Sequence, residues 1–292
     1  MVPRMSVPNR PAGRGTARRP AVRRSPVHWF RWTYLVALGL FFAVPQLAMA
    51  RFAFQNVPVA LLDRTTLGTG WSLARLGEAL AEPDLWAAAR VSLLLAGLAI
   101  VLNLALLLPL AVLAEIRVPR LRAVLAGVTL LPWVVPPIAL VVGVAATFRA
   151  VAPWFLASPL SLVPFYALWA MPFTYRALDA GLRSIHARTL VEAARSLGAS
   201  WSTVLVRVLA PNLSASVVAA CGLTGALVLG EFAFASLLLK DTLPTYLVSY
   251  QRGAPQAGMA LALALMVLTA LTLGGVVHLL RRRGLGVATP GI

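Results

Sequence analysis

Thr189-Leu-Val-Glu-Ala-Ala-Arg-Ser-Leu-Gly-Ala-Ser200, with Pro211 eleven residues further on, is a short polar-edged stretch enclosed by long apolar runs. Thr189 followed three residues later by Glu192 has the spacing of a capping box, and Ala193 and Ala194 favour helix strongly. The spacing predicts a helix from Leu190. Gly198 ends it in the left-handed conformation that glycine adopts without strain, and Ser200 caps a second helix whose limit is Pro211. Two short helices with a sharp elbow are expected, carrying Glu192, Arg195 and Arg207 outside the hydrocarbon.

The surrounding chain is membrane. Of 292 residues 60% are hydrophobic and only 12% charged, far too apolar a mixture for an ordinary soluble domain. A formal charge of +17 suggests nucleic-acid binding until the arginines are located: they gather at the two ends and between apolar segments, which is a topology signal. Nucleic acid is therefore not an expected partner. Cys221 is the single cysteine, so neither a disulfide framework nor a cysteine metal cluster is possible, and His28, His186 and His278 are too scattered to form a motif. No metal or cofactor is expected.

The expected fold is all-α and polytopic, with about six transmembrane helices. Residues 1–31 hold eight arginines and no acid among prolines and glycines, the composition of a disordered basic tail. The apolar run after it lacks a small-residue cleavage site, so it reads as a span and not as a cleaved signal peptide. Residues 32–84 supply the first span, about 33–50 behind Trp29 and Trp32, and an extracytoplasmic connection. Residues 85–283 supply five further spans at about 85–113, 123–148, 160–178, 213–229 and 257–280, and residues 284–292 a C-terminal tail. The third of the six contains Leu131-Pro-Trp-Val-Val-Pro-Pro137, whose prolines must break the backbone ladder at membrane depth.

Six spans put both termini on one side. If that side is cytoplasmic, it holds 19 of the 26 basic residues, as the positive-inside rule demands. The opening stretch then faces the cytoplasm, with membrane lipids as neighbours of the spans.

At this point the sequence resembles the permease subunits of bacterial binding-protein-dependent ABC importers. Their loop signature is Glu-Ala-Ala, three residues, Gly, nine residues, then Ile-x-Leu-Pro. Here Glu192-Ala193-Ala194, Gly198 and Val208-Leu209-Ala210-Pro211 stand at those spacings, with Ala210 departing from the usual Leu. The resemblance spans roughly Leu85 to Leu280. It implies that the elbow is a coupling helix fitting a groove on a separate ABC ATPase subunit, with Glu192, Ala193, Ala194, Arg195, Gly198 and Pro211 as the coupling residues. It also implies a second permease subunit, identical or different, and an extracytoplasmic solute-binding protein. No Gly-x-x-x-x-Gly-Lys-Ser/Thr loop occurs and the only lysine is Lys240, so phosphate binding by that route is absent from the chain and the energy must come from a partner. The chain itself is not expected to be an enzyme.

Polar and helix-breaking residues inside spans mark the candidate substrate pathway, since each is costly unless it faces protein or water. They are Asn103, Pro132, Pro136, Pro137 and, at the outer end of the fifth span, Glu231. For Asn103 the competing role is interhelical hydrogen bonding; for Glu231 it is local pairing. Sugar-type permeases usually carry an acid immediately before the motif glycine, where this chain has Leu197. Gly230-Glu-Phe232, Ala235-Ser-Leu-Leu-Leu239 and Leu243-Pro244 resemble the polyamine-type branch, which also includes iron, thiamine and phosphonate-related permeases. Glu231 favours a cationic cargo. An ion-driven secondary transporter is the alternative class, but it needs several ionisable groups at mid-membrane depth, and the sequence places almost none there.

Overall fold

The computed structural model describes residues 27–55 and 68–282. The basic tail expected over residues 1–31 falls largely outside the described residues, and the C-terminal tail expected over 284–292 falls wholly outside them. The chain divides into two compact units between Leu47 and Ala48. In the first unit the only described element is the start of α1 (Val27–Phe54), whose side chains from Trp29 to Leu47 are exposed, with Trp29 and Trp32 near its beginning. An apolar helix exposed on every side suits a lipid solvent.

The second unit continues with α2 (Ala74–Ala81), α3 (Pro83–Ile116), α4 (Pro119–Val128), α5 (Leu131–Val134), α6 (Pro137–Val151), α7 (Pro153–Ala157) and α8 (Leu162–Ser184). It is completed by α9 (Ala187–Ser196), α10 (Trp201–Thr203), a π-helical segment over Val204–Leu209, α11 (Ala210–Leu229), α12 (Ala233–Leu237), α13 (Leu243–Gly253) and α14 (Pro255–Arg282). The protein is all-α and polytopic. Among the described residues four helical stretches are long and apolar enough to cross a membrane: Trp29–Phe54, Pro83–Ile116, Trp201–Leu229 and Pro255–Gly275. The pair Pro119–Val134 and Pro137–Val151 makes a fifth if its two limbs form one span.

That pair is bent by 90°. A proline pushes the residue before it out of the helical region, so Pro136 holds Val135 extended (φ −88°, ψ 123°) and Pro137 holds Pro136 extended (φ −56°, ψ 138°). Two extended residues in succession end one helix, and Pro137 then occupies the first turn of α6, where its missing N–H costs nothing.

The segment expected as the fourth span behaves differently from the others. α8 has 23 residues, but Arg176, Asp179, its prolines and its aromatic residues keep it outside the group apolar enough to cross on composition. Its position explains this, because α8 packs against both α3 and α11 and contributes Leu162, Phe165, Tyr166, Leu178 and Leu182 to the core. A helix enclosed by neighbouring helices need not present an apolar surface to lipid. The buried stripe of α3 is rich in alanine, including Ala88, Ala96, Ala99, Ala111 and Ala114 at helical spacing. Small residues let helix backbones approach, and in lipid that approach is what holds helices together.

α8 and α11 approach closely at Gly181, where an added Cβ would overlap Cβ and Oγ of Ser216. Gly181→Ala is expected to lower stability by about 1–3 kcal/mol, the usual cost of overpacking. Thermal unfolding of the detergent-solubilised chain reads the effect, and Gly225→Ala, where the nearest atom is Ile100 Cδ1 at 3.6 Å, should be close to neutral.

Candidate functional site

The stretch 187–211 forms one end of the α3–α8–α11 core. After α8, His186 adopts the left-handed conformation (φ 49°) and turns the chain, so that α9 starts at Ala187, three residues before the expected Leu190. The capping box does not form. Thr189 already lies within the first turn, and the Glu192 carboxylate accepts from Arg188 Nε at 2.9 Å instead. At the other end the expectation holds, since Gly198 is left-handed (φ 83°). Its N–H donates to the Arg195 carbonyl at 3.0 Å and that of Ala199 to the Ala194 carbonyl at 3.1 Å, the paired bonds of a Schellman ending. Arg195 Nη1 adds a bond to the Ala199 carbonyl at 2.8 Å.

Ser200 caps α10, its Oγ accepting from Thr203 N at 3.3 Å. Pro211 does not end a second helix. α10, the π segment and α11 run on as one apolar helical stretch, Trp201–Leu229, with Pro211 in the first turn of α11. The proline removes one N–H and crowds the carbonyl four residues back; the wider π turn just before it relieves that clash. Asn212 Nδ2 donates to the Val208 carbonyl at 2.7 Å. The elbow therefore joins one short helix to the extended foot of a long one.

α9 is two-faced. Ala187 and Val191 are buried in the cluster that holds Leu178 and Leu182 of α8 with Val204 and Leu209 of the π segment, and Ala194 packs against it. Arg188, Glu192, Ala193, Arg195 and Ser196 are exposed, and Leu197, at the helix end, is 89% exposed. Of the residues expected to couple, Ala194 thus faces the core and Ala193 faces out. Gly198 faces open space, with no atom within 4 Å of an added Cβ.

Two side-chain groups brace this end, and of their members only Arg195 is among the candidates read from the sequence. Arg122 on α4 pairs with Glu115 on α3 and, at 2.8 Å, with Asp179 on α8, which also pairs with Arg183; Tyr175 OH donates to the Arg122 carbonyl at 3.2 Å. The available signal is Asp179 with Arg183 one helical turn on, in an otherwise apolar segment. The second group is Trp201, over whose ring lie the guanidiniums of Arg117 at 4.8 Å and Arg195 at 5.3 Å. Nothing in the local sequence joins Arg117 to Trp201.

Of the five pathway candidates Asn103 contacts α8 directly, the three prolines lie beside a tryptophan that does, and Glu231 stands apart beyond α11. Asn103, fully buried, donates through Nδ2 to the Ala167 carbonyl at 3.1 Å and lies 3.5 Å from Thr174 Oγ1, which in turn meets Thr224 Oγ1 at 2.6 Å. This polar seam links α3, α8 and α11 as interhelical bonding; Asn103 Oδ1 is left without a partner. Pro132, Pro136 and Pro137 flank Trp133, which stacks on Trp169 at 4.3 Å between ring centroids and donates from Nε1 to its carbonyl at 2.9 Å. Glu231 lies just past the end of α11 and is only 7% exposed. Both its oxygens accept from Phe234 N at 3.1 Å, so it caps α12.

The fold defines a class, an all-α multi-pass membrane protein in which a short two-faced helix joins two of the longer ones. Residues 107–284, more than half of the chain, match the family described as binding-protein-dependent transport system inner membrane component. The chain belongs to that family and is a multi-pass permease component of an ABC transport system. No curated protein matches it in sequence.

Burial pushes the Glu231 carboxyl above its ordinary value, against the backbone N–H groups of Phe234, Ala233 and Ala235 that pull it down. A raised value means that the folded state favours the protonated form. Stability from this group is complete below its unfolded value and is lost as pH rises through the raised one. Glu231→Gln should flatten that dependence, gaining on the parent with increasing pH in thermal-unfolding midpoints. Gly198→Ala should cost about 1–2 kcal/mol for a side chain at positive φ, measured in the same way.

Proposed function

We propose that the chain is the permease of a bacterial importer and that α9 is the helix through which a separate ABC ATPase drives it. The observation that carries this reading is the division of α9 into a face buried in the α3–α8–α11 core and a face left open. The open face offers Ala193, Leu197 and Gly198 as a small apolar ridge, with the Arg188–Glu192 pair beside it. Ala193 and Gly198 permit close approach, Leu197 offers an apolar contact, and the flanking charges orient the ridge. Movement of the ridge reaches the spans directly, because the inner face shares one cluster with α8 and the foot of α11.

In this reading both termini lie on the ATPase side of the bacterial inner membrane, a second permease subunit completes the pathway, and an extracytoplasmic binding protein delivers the cargo. The chain performs no covalent chemistry of its own. The charge asymmetry between the loops supports the orientation, and family membership supports the partners. A polyamine or another small cationic solute is the cargo suggested by Glu231 and by the sequence pattern around it. A permease for iron, thiamine or phosphonate-type solutes is the second reading. Within it the anionic phosphonate-type solute is favoured by the way Glu231 is held on the backbone of α12.

Leu197→Asp places a charge on the ridge without disturbing the buried face. It should reduce transport-coupled ATPase activity of the reconstituted complex by at least tenfold while the chain remains at parental levels in the membrane. Ala194→Asp, which charges the inner face, should instead reduce the amount of folded chain. Unchanged coupled ATPase activity in Leu197→Asp would remove α9 as the coupling element. Transport of cationic solutes unaltered by Glu231→Gln would remove the basis for a polyamine.

A further inference from the structure

An apolar groove of about 870 Å3 opens between the α9 end of α3 and the foot of α11. Its walls include Leu108, Val112 and Ile116 from α3 and Leu205, Leu213 and Val217 from the opposite helix, and Arg117 and Trp201 also line it. Arg195 joins them at Trp201, its guanidinium 5.3 Å from the ring centroid. Along α3 the groove runs from Leu108 to Arg117, about 14 Å at 1.5 Å per residue. It is therefore a cleft with hydrocarbon-like sides, and its charge is confined to one end.

Among the described residues no carboxylate pairs with the arginines at that end. The nearby acids are committed elsewhere, Glu115 and Asp179 to Arg122 and Glu192 to Arg188. Arg117 takes part in no ion pair among the described residues, and the bond made by Arg195 is to the Ala199 carbonyl. Two guanidiniums over an indole thus stand at the mouth of an apolar cleft, at the level where a span gives way to the polar α9 loop. Tryptophan favours that depth of a bilayer, and arginine binds phosphate with geometric preference.

We infer that this groove binds an anionic phospholipid, with an acyl chain between α3 and α11 and the headgroup phosphate on Arg117 and Arg195. The site is independent of the α9 docking reading, since it needs only the membrane setting and the groove. A bound lipid joins the end of α3 to α9 through its phosphate, so the anionic lipid content of the membrane sets how firmly the elbow is held.

Native mass spectrometry of the full-length chain, delipidated in detergent and titrated with phosphatidylglycerol or phosphatidylcholine of equal chain length, tests the site. Phosphatidylglycerol should bind at least fivefold more tightly than phosphatidylcholine. Arg117→Gln combined with Arg195→Gln should abolish that preference, and Arg117→Lys should keep most of it. Val217→Trp, which fills the groove, should weaken both lipids; thermal unfolding identifies a misfolded variant, in which case the arginine pair alone decides. Equal binding of the two lipids by the parent chain overturns the inference, as does an undiminished preference in the double variant. Competition by glycerol phosphate at concentrations equal to the lipid would make the ligand a free phosphate and not a lipid, and also overturns it. So does a cross-link across the groove between two copies of the chain that excludes lipid.

Discussion

Val191 of α9 is buried with Leu178 and Leu182 of α8 and with Val204 and Leu209 of the π segment, and Ala187 sits beside it in the same cluster. Burying one such valine is worth about 1.5–3 kcal/mol, more than a ten-residue helix of this composition gains from its own hydrogen bonding in water. α9 therefore exists as a helix because the core holds it. On its outer face Ala193 and Leu197 stay exposed, open to the partner contact proposed for α9. The Schellman bonds around Gly198 and the Arg195 bond to Ala199 fix the angle at which the chain leaves α9 for Trp201 and the foot of α11.

The irregular backbone obeys the same logic. In lipid a broken helix leaves polar groups that only protein can satisfy, so breaks are tolerated where another helix covers them. At the proline-rich break Trp133 is held by the ring and carbonyl of Trp169 on α8. Beyond α11, Glu231 caps α12 and Phe234 packs on Phe165. At the π segment, Asn212 supplies a side-chain donor beside Pro211. α8 serves the first two of these breaks directly, which accounts for its aromatic and polar content and for its being less apolar than the helices around it.

Much of this is legible in the sequence. Apolar runs and arginine distribution point to an all-helical membrane protein, Pro136-Pro137 marks the break, Gly198 the left-handed ending, and Ser200 the cap. The start of α9 reads three residues late because Thr189 and Glu192 fit a capping pattern. A left-handed His186, set by how α8 ends against its neighbours, begins the helix earlier and leaves Glu192 to Arg188. Pro211 reads as a stop because a π turn has no sequence signature. Which face of α9 is buried is not readable either: Ala193 and Ala194 are chemically identical, and only the position of α8 and the π segment separates them. The Arg117–Trp201–Arg195 group belongs to tertiary contacts that no local pattern encodes.

The distinction between Ala193 and Ala194 gives the central claim its most direct test. With Cys221 replaced by Ser, single cysteines at Ala193, Ala194 and Leu197 are exposed to a short bifunctional cross-linker in membranes containing the assembled transporter. Cross-links to the ATPase subunit are predicted from positions 193 and 197 and not from 194. A cross-link from 194 with none from 193 or 197 would mean that α9 presents its other face to the partner, contradicting the account.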